Sequence, residues 1–144
     1  MERILVADDE ADIREITRSI LAKEGYEVIL AKDGNEALIM AKEHKPDLAI
    51  MDFLMPGLNG IEVCQALKKD PVTENIPVII VTAYPNQKEQ GLSAGAVDFM
   101  SKEMDTIDLM TRVRSALKVR HITNELQRAI AYIEELEKKL PKSS

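Results

Sequence analysis

At 144 residues, with 45% hydrophobic and 31% charged side chains, the chain has the balance of a folded rather than a disordered chain and the length of one ordinary domain rather than two. A single cysteine, Cys64, excludes an intrachain disulfide, and two histidines, His44 and His121, are too few for structural zinc. The formal net charge of −6 divides unevenly: residues 1–117 hold 13 basic and 21 acidic side chains, residues 118–144 hold 6 and 4, so an acidic body argues against direct nucleic-acid binding.

In chain order, five short apolar runs have strand length, at residues 4–7, 28–31, 48–51, 78–81 and 96–100. The middle ones are apolar on both faces, as parallel strands covered by helices on each side must be. Between them lie helix-like stretches. Ile13, Ile16, Ile20 and Leu21 recur at helical spacing before the stop signal Gly25. Asp33 followed by Glu36 has the spacing of a capping box. Residues 60–69 and 86–94 supply two more helices. The repeated alternation predicts an α/β fold, a doubly wound parallel sheet with right-handed crossovers. No run reaches the roughly 18 uncharged apolar residues of a membrane span, and the first residues lack a signal peptide's apolar region, so a cytoplasmic protein is expected.

In such folds function collects at the carboxyl ends of the strands. Four of the five runs end in, or are closely followed by, polar residues that the run itself does not require: Asp8-Asp9-Glu10, Asp52, Thr82 and Lys102. Carboxylates brought within about 4 Å repel by roughly 4 kcal/mol at an effective dielectric near 20, so a compensating cation is expected. Oxygen ligands of this type suit Mg²⁺. The competing reading makes these acids helix caps and strand ends, yet all of them, with a lysine and a threonine, land on one edge.

Six segments in order extend the pattern: Ile4-Leu5-Val6-Ala7-Asp8-Asp9-Glu10, Ala31-Lys32-Asp33-Gly34-Asn35-Glu36-Ala37-Leu38, Pro46-Asp47-Leu48-Ala49-Ile50-Met51-Asp52, Met55-Pro56-Gly57-Leu58-Asn59-Gly60, Ile76-Pro77-Val78-Ile79-Ile80-Val81-Thr82-Ala83 and Gly95-Ala96-Val97-Asp98-Phe99-Met100-Ser101-Lys102. Over residues 2–118 the chain resembles the receiver domain of bacterial two-component response regulators. The resemblance implies a flavodoxin-like five-stranded sheet of order 2-1-3-4-5. It implies that Asp52 accepts a phosphoryl group from a sensor histidine kinase or phosphotransfer protein, in a signalling domain with autophosphorylation and autodephosphorylation activity rather than a metabolic enzyme. It further implies that Asp9, Asp8 through water, Asp52 and the carbonyl of Leu54 hold Mg²⁺, that Lys102 and Thr82 bind phosphoryl oxygens, and that Thr82 and Phe99 form the switch.

Three positions depart from or vary on the family pattern. Glu103 stands where the family usually has proline after the lysine, so the loop carrying Lys102 is expected to be set differently. Tyr84 and Leu54 border the pocket, and their bulk suggests restricted water access and a long-lived phosphoryl state.

Beyond residue 118, Val119, Ile122, Leu126, Ala129, Ile133, Leu136 and Leu140 recur at alternating spacings of three and four, a heptad seam. A helix from Asp105 to Leu140 would run about 54 Å and project from a body whose radius of gyration is near 13 Å. The expected organisation is a receiver domain at residues 1–118, a coiled-coil-like extension at 119–140 that makes a homodimer, and a disordered tail at 141–144. A further output domain in a longer protein is also compatible with the family. Rival readings are a dimeric scaffold that is never phosphorylated and an aspartate-nucleophile phosphatase. The latter normally has a second acid two residues after its nucleophile, where this chain has Leu54.

Overall fold

The computed structural model describes residues 1–83, 88–103 and 105–139. Its elements are β1 (Arg3–Ala7), α1 (Ala11–Lys23), β2 (Glu27–Ala31), α2 (Gly34–His44), β3 (Leu48–Asp52), α3 (Gly60–Lys69), β4 (Val78–Thr82), α4 (Lys88–Ser93), β5 (Asp98–Ser101), α5 (Thr106–Val119) and α6 (Glu125–Lys139). All four strand pairings are parallel and the sheet order is β2-β1-β3-β4-β5, the order expected. No helix among the described residues is long and apolar enough to cross a membrane.

Strand side chains alternate between two cores. On one face Leu5, Ala49, Met51, Val78, Ile80 and Phe99 meet α2 and α3. On the other, Ile4, Val6, Leu48, Ile50, Ile79 and Met100 meet α1 and α5. Every residue of β3 is buried, which explains its unbroken apolar run up to Asp52.

Local signals act mostly as expected. Asp33 caps α2 by accepting from Glu36 N–H, while Glu36 returns its bond to Lys32 N–H at 3.2 Å instead of to the cap residue. Asn59 and Glu62 form a full capping box on α3. The apolar spacing of α1 overstates its burial: Leu21 is fully buried, but Ile13 and Ile16 are 37% and 57% exposed.

The single projecting helix expected over residues 105–140 is corrected. The chain leaves the helix at Arg120, whose guanidinium pairs with Glu2 at 2.9 Å and Asp47 at 3.6 Å. It restarts where the Asn124 side chain accepts from Gln127 N–H at 2.9 Å, a cap that the heptad reading passed over. The helical extension is therefore a separate element, α6, packed back on α5. Its buried residues are Arg128, Tyr132 and Glu135, whereas Leu126, Ile130 and Ile133 are 71%, 49% and 53% exposed. The heptad seam is thus split, with Val119 buried, Ile122 and Leu136 packed on the domain's own core, and Leu126 and Ile133 outside. Leu140 and residues 141–144 lie outside the described residues.

Candidate functional site: an acidic pocket at the strand ends

The ends of β1 and β3 are adjacent because the two strands pair in parallel, Ala7 beside Met51. The residues that follow, Asp8 and Asp52, therefore face one another, with Asp9 alongside. Carboxylate oxygens of Asp8, Asp9 and Asp52 all lie within 4.8 Å of one another. Asp52 is 4% exposed and Asp8 6%, whereas Asp9 is exposed. The close approach of α3 to β3 depends on Gly60: a Cβ there would lie 2.7 Å from the Asp52 carbonyl oxygen, and Gly60 N–H donates to Phe53 O at 2.8 Å. The acids are only partly occupied as structural groups. Asp8 Oδ1 accepts from Glu10 N–H at 2.9 Å, but the cap residue of α1 is Glu10, which makes no side-chain cap bond.

Lys102 reaches the same point from the end of β5. Its Nζ donates to Asp52 Oδ2 at 2.9 Å and lies 3.9 Å from both Asp8 Oδ2 and Glu10 Oε1. The main chain anchors it, since Lys102 N–H donates to Thr82 O at 2.9 Å. The loop is set without proline. Ser101 Oγ accepts from Glu103 N–H at 3.2 Å, and the Lys102–Glu103 bond is trans. Thr82 is 1% exposed and ends β4 opposite Ser101.

The electrostatics follow from burial. Desolvation pushes the Asp52 carboxyl up to about 6, against the pull of the Lys102 hydrogen bond, and the charge of Asp8 adds to the rise. Asp8 is raised for the same first reason, offset by the Glu10 amide and Lys102. Burial works against the Lys102 ammonium, but its bond to Asp52 and the surrounding acids outweigh that and raise it overall. One ammonium is therefore shared by three acids, Asp52, Asp8 and Glu10, with Asp9 beside them, and an all-oxygen donor set with excess negative charge fits a hard divalent cation.

Asp9, Glu10, Asp52, Leu54, Thr82, Ala83 and Lys102 line an open pocket of about 270 Å³. Leu54 stands at its rim, 52% exposed. Tyr84, expected at the same rim, lies outside the described residues. A second pocket of about 270 Å³ adjoins it between α1 and α5, lined by Ile13, Ile16, Ile20 and Leu109 and reaching Asp52 and Lys102. Phe99 is 6% exposed, tilted against Phe53 with ring centroids 6.4 Å apart, and its ring lies where a Cβ on Gly91 of α4 would sit. Sequence reasoning assigned no role to Glu10, Arg14 or Ser101. Arg14 Nη1 donates to Asp8 O at 2.7 Å, and a residue six positions from Asp8 carries no motif that would single it out.

Comparison with known proteins agrees with this arrangement. The family model described as the response regulator receiver domain matches residues 4–114. The response regulator PleD of Caulobacter vibrioides is 44% identical over 128 residues, covering 87% of this chain and 28% of PleD. The phosphate regulon transcriptional regulatory protein PhoB of Rhizobium meliloti is 39% identical over 120 residues, 82% of this chain and 53% of that protein. The chain thus spans between about a quarter and a half of these relatives. Among solved structures, the response regulator TrrA of Thermotoga maritima in complex with Mg(2+)-BeF superposes with a TM-score of 0.73 at 36% identity, covering 79% of this chain and 97% of that one. Five parallel strands in the order 2-1-3-4-5, an acidic pocket at their carboxyl ends and the match over residues 4–114 make this chain a member of the response regulator receiver domain family.

Proposed function

We propose that this receiver accepts a phosphoryl group on Asp52 and uses it to switch conformation in signal transduction. The observation that carries this reading is the buried Asp52 carboxylate, 2.9 Å from Lys102 Nζ and within 4.8 Å of Asp8 and Asp9 in an open pocket. Asp52 attacks the phosphorus of a phosphohistidine on a sensor histidine kinase or phosphotransfer protein. The new P–O bond forms as the P–N bond breaks, and the imidazole leaves with the electron pair and takes up a proton. Such chemistry depends on positioning and charge neutralisation more than on covalent steps by other side chains.

Asp9, Asp8 through water, Asp52 and the Leu54 carbonyl are the groups that would hold Mg²⁺, which would supply neutralisation of the negative charge gathered there. Lys102 then pairs with one phosphoryl oxygen and the Thr82 hydroxyl donates to another. Movement of Thr82, answered by Phe99, is the proposed switch. The exposed Ile13 and Ile16 beside the pocket suit an apolar contact with the phosphodonor. The setting is cytoplasmic, and the output belongs to a further domain or a separate partner.

Self-association through α6 is proposed on a narrower basis than a full heptad seam, the outward stripe Leu126, Ile130 and Ile133. Incubation with Mg²⁺ and acetyl phosphate, read by intact mass, tests the central reading. One phosphoryl mass is expected on the native chain and none on Asp52→Asn. No gain on the native chain, together with no binding of beryllofluoride, would leave only the scaffold reading.

A further inference from the structure

Asp98, the first residue of β5, is 6% exposed, and its two oxygens are held by different parts of the fold. Oδ1 accepts from Phe99 N–H at 2.8 Å. Oδ2 accepts from both the Arg112 guanidinium of α5 and the Tyr132 hydroxyl of α6. Tyr132 is 2% exposed, so its bond to Asp98 lies out of water, where it is strong and costly to break. A side chain of α6 therefore grips the strand that carries Phe99 and leads directly into Lys102.

That strand has four residues, lies at the sheet edge and, among the described residues, pairs with β4 alone. At its far end Lys102 is bonded to the Asp52 carboxylate itself. A phosphoryl oxygen lies farther out than the carboxylate oxygen, so transferring the ammonium to it draws on the end of β5. Between the two ends, Phe99 is packed tightly against Gly91 and Phe53. The same short strand thus runs from Asp98 at one end to Lys102 just beyond the other.

We propose that Tyr132 is a positioning residue for the phosphoryl site, acting through Asp98 on β5, so that docking of α6 and ligation at Asp52 oppose one another. This rests on the reading of Asp52 as the phosphoacceptor. The docked helix favours the arrangement in which Lys102 pairs with Asp52, and drawing Lys102 outward loosens the docked helix. By reciprocity the two effects are equal in size.

The test uses the full chain with Mg²⁺ and beryllofluoride. Saturating beryllofluoride is expected to speed amide exchange in residues 125–139 about fivefold or more, the lower end of ordinary allosteric couplings. Tyr132→Phe, which deletes only the hydroxyl, is expected to bind beryllofluoride about fivefold more tightly. Asp98→Asn is the second variant and should shift affinity the same way if Tyr132→Phe folds poorly. Unchanged exchange in α6 on ligand binding, or unchanged or weaker affinity in the variants, overturns the coupling while leaving the phosphoacceptor reading intact. Failure of the native chain to bind beryllofluoride in an Asp52-dependent manner overturns that reading, and the coupling with it.

Discussion

Lys102 Nζ and Asp52 Oδ2 stand 2.9 Å apart, and no other lysine or arginine among the described residues is ion-paired to the acids of this pocket. The pair joins β5 to β3 across the intervening β4, so the charge balance of the site also ties the strand ends together. Replacing Lys102 by Met leaves buried carboxylates without their cation. Phosphoryl uptake from acetyl phosphate should fall by about a hundredfold or more, in the range found when one charge-stabilising donor is removed. Initial rates by intact mass, at equal Mg²⁺, check this.

The raised Asp52 carboxyl has a consequence for stability in chelator. Its folded value is about 6 against an ordinary 3.8, so between those values the folded chain binds more protons than the unfolded chain. Stability from this group is present below about pH 4 and lost as pH rises through about 6. Asp52→Asn removes the titration. In EDTA, the variant should therefore gain on the native chain by up to about 2 to 3 kcal/mol between pH 4 and 7. Urea midpoints at each pH measure the gap, which Mg²⁺ should narrow by binding the folded native chain.

Gly91 and Phe99 share one volume. A Gly91→Ala substitution forces its methyl group into the Phe99 ring and should cost about 1 to 3 kcal/mol. Phe99→Leu in the same chain should recover part of that loss, a coupling readable in a double-mutant cycle by chemical denaturation. Full additivity would show that the ring and α4 do not press on one another.

The Ser101 hydroxyl closes the turn that carries Lys102. Ser101→Ala should cost about 0.5 to 1.5 kcal/mol, the usual net value of such a bond, and slow phosphoryl uptake more than it lowers the melting temperature would explain. Ser101→Thr keeps the hydroxyl and should restore the rate.

The outward stripe of α6 gives the last prediction. Sedimentation at micromolar concentration should show association that Ile130→Glu abolishes, while circular dichroism remains unchanged. A native chain that is monomeric throughout would remove α6 as a self-association surface.

How much of this was legible in the sequence depends on the range of the interactions concerned. Apolar runs buried on both faces, such as residues 48–51, announce parallel strands because every side chain there must leave water, and the chirality of crossovers then restricts the order. That Asp8, Asp9, Asp52, Thr82 and Lys102 gather at one edge was likewise legible, since strand ends of such a sheet converge wherever the strands themselves are identified. Only the tertiary structure decided the course of the tail. Periodicity favoured Leu126 and Ile133 as the buried seam, but the helix stops at Arg120, restarts at the Asn124 cap and buries Tyr132, Arg128 and Glu135 instead. A polar residue can be buried only where partners await it. Tyr132 found Asp98 and Arg112, 34 and 20 positions back in the chain, and hydrophobic spacing along one helix carries no information about such partners.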